Sequence, residues 1–133
     1  MERIDDLQYK GLKIIQNPEW FCFGIDSILL TEFAKDMKKN STIADLGTGT
    51  GIISILMSKK ADAKKVYGIE FQKDVAEMAK RSVILNNLQD KVEILNEDVG
   101  NISSIKKNTI DYVITNPPYK KEGTSIISSD NKN

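Results

Sequence analysis

The apolar positions along the chain fall into two alternating rhythms from residue 42 onward. Short apolar runs at 42–46, 66–70, 92–95 and 110–115 have the length and composition of buried strands. Between them, 52–57 continues as a buried helix. Val75, Ala79, Ser82, Val83 and Asn86 recur at helical spacing as the inner face of a second one. A short helix is predicted over 99–105. Ahead of this region, 7–10 and 12–16 read as two short strands around Lys10-Gly11, a hairpin. Pro18 interrupts, and a further helix follows with Leu29, Leu30, Phe33 and Met37 on one face and Asp26 or Ser27 placed to cap its start. Four strands alternating with helices predict an α/β fold: a mainly parallel sheet wound by right-handed crossovers. The chain divides into a lead segment (1–40), a core (41–119) and a polar tail (120–133). The tail has only Ile126-Ile127 to bury and reads as a frayed end.

Composition narrows the chemistry. With 133 residues, 40 % apolar and 29 % charged, the chain suits one soluble globular domain. Lysine plus arginine equals aspartate plus glutamate at 19 each, so there is no bulk attraction to nucleic acid, although a local patch is not thereby excluded. One cysteine permits no intrachain disulfide, and one thiol without histidine builds no ordinary zinc site, so no metal is expected. The lack of histidine also removes Ser-His and Cys-His nucleophilic chemistry. The polar N-terminus does not read as a signal peptide, and no apolar stretch approaches the roughly 20 residues that span a bilayer. A cytoplasmic location without membrane contact is the expectation.

The segment Asp45-Leu46-Gly47-Thr48-Gly49-Thr50-Gly51 lies between a predicted strand and a predicted helix. Glycines there let the backbone turn sharply and approach a ligand closely. The dinucleotide fingerprint G-x-G-x-x-G fails, because the sixth position from Gly47 is Ile52. Glycines two apart, with an aspartate two residues before the first, instead resemble the first motif of class I methyltransferases. That resemblance implies S-adenosylmethionine as cofactor, with Asp45, Gly47, Thr48, Gly49 and Gly51 around its amino-acid part. The second strand ends at Glu70, 19 residues past Gly51, where a carboxylate can accept both ribose hydroxyls. The third ends near Asp98, placed to accept the adenine amino group. All three acidic tips point to the carboxyl edge of the sheet, where open parallel sheets bind ligands.

The fourth strand runs into Asn116-Pro117-Pro118-Tyr119. Two prolines end a strand ladder, which is a sufficient structural reason for them. A chemical reason also exists. A planar amino or amide nitrogen is a poor nucleophile because its lone pair is delocalised. The Asn116 side-chain carbonyl and the Pro117 backbone carbonyl can accept its N–H bonds and favour a more pyramidal nitrogen. Tyr119 can stack on the planar group. Methyl transfer from a sulfonium is an in-line displacement that positioning can carry without histidine or metal.

From residue 4 to residue 119 the chain resembles the bacterial tRNA N6-adenine methyltransferases that modify an anticodon-loop adenine of a valine tRNA. The matching segments are Asp5-Asp6-Leu7-Gln8, Gly11-Leu12-Lys13-Ile14-Ile15-Gln16, Phe21-Cys22-Phe23-Gly24-Ile25-Asp26, the glycine loop and Asn116-Pro117-Pro118-Tyr119. The resemblance implies a Rossmann-like fold with residues 1–40 covering the cofactor site, Phe23 and Asp26 near the ligand, and tRNA as substrate. Alternative acceptors are a protein glutamine or the N2 of a ribosomal RNA guanine. A further alternative is a non-catalytic cofactor-binding remnant. The class I sheet has seven strands; this chain is expected to hold the first four, in the order 3-2-1-4. The strand at 110–115 would then be an exposed apolar edge, inviting self-association.

Overall fold

The computed structural model describes residues 1–20, 25–106 and 108–116, together with the backbone of 125–128. In chain order the elements are β1 (Arg3–Asp6), β2 (Lys13–Gln16), α1 (Ile25–Ala34), β3 (Thr42–Leu46), α2 (Ile52–Lys60), β4 (Lys65–Ile69), α3 (Lys73–Leu85), β5 (Val92–Leu95), β6 (Tyr112–Thr115) and β7 (Ser125–Ser128). The main sheet is ordered β5-β4-β3-β6-β7. Its first four members are parallel, as the alternation of strands and helices requires. They reproduce the expected order 3-2-1-4.

Side chains alternate across this sheet with the strand period of two. Ile43, Val66, Val92, Ile94 and Ile114 face the helices and share one core with Leu30 and Ala34 of α1, Ile55 and Leu56 of α2, and Ala76, Ala79 and Val83 of α3. Ala44, Ile69 and Leu95 face the other way and are covered by Ile102, Ile105 and Ile110. The helix expected over 99–105 is only one 3-10 turn at Val99–Asn101, followed by irregular chain that brings these isoleucines onto the second face.

Four expectations need correction. The strand at 110–115 is not an edge: β7 pairs antiparallel with β6 from Thr115↔Ser125 to Tyr112↔Ser128. The tail therefore contributes a fifth strand where a frayed end was expected, and the premise for self-association through β6 is removed. The hairpin exists, but its first strand is Arg3–Asp6, not 7–10. Leu7 and Leu12 are buried from within the connecting turn, which Leu7 N–H closes onto Leu12 O at 2.9 Å. In α1, Leu29 and Phe33 are exposed, while Ser27, Leu30, Thr31 and Ala34 are buried. The face of α1 that meets the core and α2 is thus mostly its small one.

Polar side chains fasten the lead segment to the core. Asn86 accepts from Lys13 N at 2.8 Å and donates to Lys13 O at 2.7 Å, while Ser82 Oγ accepts from Ile15 N at 2.9 Å. These bonds satisfy backbone groups of β2 that face α3. Lys60, its side chain only 4 % exposed, reaches Glu32 at 2.7 Å and Thr31 Oγ1 at 3.0 Å, tying α2 to α1. No helix among the described residues is long and apolar enough to cross a membrane.

Candidate active site

The loops leaving the carboxyl ends of the parallel strands surround a cavity of about 570 Å³. That size suits a small-molecule site, which spans about 300–1,000 Å³. Gly47, Thr48 and Gly49 form one wall, Glu70 to Val75 at the head of α3 a second. Val99, Asn116, Ser27 and Trp20 also line it, with Thr50, Ile52 and Ile53 at the start of α2.

The glycine loop is shaped by backbone geometry. Gly47 and Gly49 have φ of 72° and 59°, a region L side chains rarely enter, and a Cβ on either would meet nothing within 4 Å. Conformation, not crowding, selects glycine at both. Gly47 N and Thr48 N both donate to Ile69 O, at 2.8 and 2.9 Å, which pins the loop to the tip of β4. Gly51 serves differently. It is the left-handed N-cap of α2, and a Cβ there would lie 3.4 Å from Ala79 Cβ of α3.

Beneath the loop lies Asp45, buried, with Oδ2 accepting from Thr48 Oγ1 at 2.7 Å and from Ser54 Oγ at 2.8 Å. Its Oδ1 is buried with no hydrogen-bond partner. Burial pushes the carboxyl up to about 6; the Thr48 and Ser54 bonds oppose that rise, and the charge of Glu70 adds to it. Gly68 makes room for this cluster. A Cβ on it would stand 2.8 Å from Ser54 Oγ and 2.9 Å from Thr48 Oγ1.

Glu70 follows β4 immediately and is half-buried on the cavity wall. Its carboxylate accepts from Gly49 N at 2.9 Å and from Gln72 N at 3.1 Å, joining the glycine loop to the start of α3. Asn96 holds the same corner by donating to Glu70 O and Phe71 O, each at 2.9 Å. Asn116 follows β6 directly and lines the cavity, with Nδ2 donating to Ser27 Oγ at 2.9 Å.

Of the residues singled out from sequence, Gly47, Thr48, Gly49, Glu70 and Asn116 meet on one cavity, and Asp45 supports it from below. Asp26 is exposed in the first turn of α1 and off the wall; its neighbour Ser27 is on it. Asp98 is exposed three residues beyond β5 and accepts from Gly100 N at 3.0 Å, while the adjacent Val99 lines the cavity. Phe23, Pro117 and Tyr119 lie outside the described residues. Sequence reasoning missed Trp20, Ser27, Phe71 and Asn96. Phe71 had a usable signal, an apolar residue directly after an acidic strand tip. The others become visible only through tertiary contacts.

Comparison with known proteins identifies the family. A Phocaeicola vulgatus protein named tRNA1(Val) (adenine(37)-N6)-methyltransferase is 32 % identical over 96 residues, covering 72 % of this chain and 39 % of the relative. A Methanocaldococcus jannaschii protein provisionally named a protein N5-glutamine methyltransferase is 33 % identical over 113 residues, covering 85 % of this chain and 54 % of the relative. The chain thus spans about half or less of these relatives. The crystal structure of M. jannaschii TYW2 in complex with AdoMet superposes with a TM-score of 0.72 over 85 % of this chain and 50 % of that one, at 21 % identity, a likeness of fold. The family model for the methyltransferase small domain matches residues 12–129, which take in the glycine loop, Glu70 and Asn116. With the Rossmann-like sheet and these residues gathered at its carboxyl edge, the chain belongs to the methyltransferase small domain family.

Proposed function

We propose that this chain binds S-adenosylmethionine and serves transfer of its methyl group to an exocyclic amino nitrogen, with N6 of a tRNA adenine as the acceptor. The observation that carries this reading is the convergence of the glycine loop, Glu70 and Asn116 on one cavity above the unpaired Asp45 Oδ1.

The residues fit such a cofactor. A buried carboxylate oxygen without a donor is costly, and a ligand ammonium, directly or through water, would satisfy it. Gly47 and Gly49 leave open space where side chains would stand, so the loop can pack on the amino-acid part. Glu70 would accept the ribose hydroxyls. Phe71 and Val99, 70 % and 42 % exposed on the cavity wall, would cover the purine. Asp98 has an oxygen beyond the one held by Gly100 to take the adenine amino group. Phe23 is assigned to the same pocket by the family resemblance, and Asp26, exposed beside the wall residue Ser27, is proposed to reach the ligand from the rim. The lead segment, residues 1–40, is proposed to close the site through Trp20 and Ser27.

S-adenosylmethionine, when bound, supplies an electrophilic methyl on a sulfonium. The chain's own part is to present acceptors to the incoming N–H bonds, through Asn116 and the Pro117 carbonyl, and to stack the planar group on Tyr119. Fixed dipoles of this kind act with little reorganisation as charge develops. A base in RNA would have to leave its stack to reach them. The name of the Phocaeicola relative favours adenine in tRNA. The name of the Methanocaldococcus relative supports a protein glutamine as second reading. Methyl-labelled cofactor offered with tRNA, ribosomal RNA and a glutamine-bearing protein discriminates. Label in N6-methyladenosine from tRNA is expected. Label confined to glutamine establishes the second reading, and label on anything but an amino nitrogen overturns both.

A further inference from the structure

Asn116 carries a side chain whose two ends are similar in size and opposite in chemistry: the NH2 donates and the carbonyl accepts. Only one orientation can serve an amino-bearing acceptor, which arrives with N–H bonds of its own. Turned half a revolution, the amide would set donor against donor. Nothing within the residue chooses between the two.

The choice is made from the other end of the chain. Ser27, in the first turn of α1, is 4 % exposed and lines the same cavity. Its Oγ takes the Asn116 Nδ2–H at 2.9 Å, across 89 residues of sequence. Among the described residues none donates to Asn116 Oδ1. The serine is held firmly, because α1 contacts α2 and the same side of α1 buries Leu30, Thr31 and Ala34. Thr115, preceding Asn116, is anchored to Leu46 O through its hydroxyl at 3.1 Å.

We propose that Ser27 is a positioning residue that holds the Asn116 amide with its NH2 on α1 and leaves its carbonyl oxygen for the acceptor nitrogen. The purpose assigned to this orientation rests on the methyltransferase reading; the orientation itself does not. It also gives the lead segment a second task, that of setting the polarity of the acceptor site.

A hydroxyl can donate as well as accept, so the decisive measurement reads the amide protons. In the 15N-labelled 133-residue chain, the Asn116 side-chain NH2 is assigned by its loss in Asn116→Ala. The expected result is one Nδ2 proton shifted downfield and exchanging with solvent about two- to tenfold more slowly than an exposed amide, the protection one net hydrogen bond gives. Ser27→Ala should abolish both signatures while leaving backbone resonances distant from residues 27 and 116 in place, and Ser27→Thr should restore them. Calorimetry with S-adenosylhomocysteine, run on wild type, should show saturable binding. An Asn116 NH2 that is unshifted in wild type, or unchanged in Ser27→Ala, overturns the proposal. The wild-type spectrum alone decides that point if Ser27→Ala fails to fold. Loss of homocysteine-ligand binding in wild type with the amide signature intact would instead refute the methyltransferase reading and leave the orientation standing.

Discussion

Replacing Asp45 with asparagine tests the chemistry beneath the glycine loop. Burial raises this carboxyl from 3.8 to about 6, so the folded chain holds a proton there that the unfolded chain has released. The sign follows from linkage: where the folded state binds more protons, stability falls as pH rises. The loss begins near pH 4, is complete above about pH 6, and amounts to about 3 kcal/mol at 1.36 kcal/mol per pH unit. Asparagine does not titrate. The stability of Asp45→Asn relative to wild type should therefore increase by up to about 3 kcal/mol between pH 4 and pH 7, whatever its offset at a single pH. Carboxylates held low by partners, such as Glu2 on Arg81 and Asp5 on Gln16, favour stability in the opposite direction but are common to both proteins and cancel. Urea denaturation followed by circular dichroism across this range measures the difference. A relative stability independent of pH would show that Asp45 is not strained by burial. Because a ligand cation at Oδ1 favours the ionised form, affinity for S-adenosylhomocysteine should also rise with pH through about 6 in wild type and not in the variant.

Other positions give independent checks. Gly68→Ala forces a Cβ to within 2.9 Å of Ile94 Cδ1 and Thr48 Oγ1, and should destabilise the chain by about 1–3 kcal/mol in urea denaturation. Asn86→Ala strips the Lys13 backbone of both partners and should cost about 1–3 kcal/mol of stability with calorimetric ligand affinity unchanged, because the clamp lies away from the cavity. Asn116→Ala should remove most methyl transfer in a labelled-cofactor assay while leaving cofactor affinity nearly unchanged.

Some of this was open to inspection in the sequence because local chemistry dictated it. The runs at 42–46 and 92–95 form strands with those bounds, since an apolar run of that length has few other ways to be buried. The glycine loop was legible because positive φ at Gly47 and Gly49 excludes most other residues. Ser82 was placed correctly on the inner face of α3 and Asn86 follows as its C-cap, although neither was read as the clamp for β2. What stayed hidden depends on partners distant in the chain. Ser125–Ser128 becomes a strand because β6 offers a free backbone edge, not because of its own pattern. Leu29 and Phe33 share the helical spacing of a core face, yet the approach of α1 to α2 favours the side bearing Ser27, Thr31 and Ala34. Ser27 carries no signal of a site until Asn116 is folded against it.

Calorimetric titration of the chain with S-adenosylhomocysteine, alongside NADH and alongside Glu70→Ala, tests the central claim most directly. Trp20, the single tryptophan and part of the cavity wall, supplies a parallel fluorescence readout. The expected result is saturable binding of S-adenosylhomocysteine with a change in Trp20 emission, weakened in Glu70→Ala by about 1–3 kcal/mol, and no binding of NADH. Binding of NADH without S-adenosylhomocysteine, or an affinity indifferent to Glu70, would contradict it.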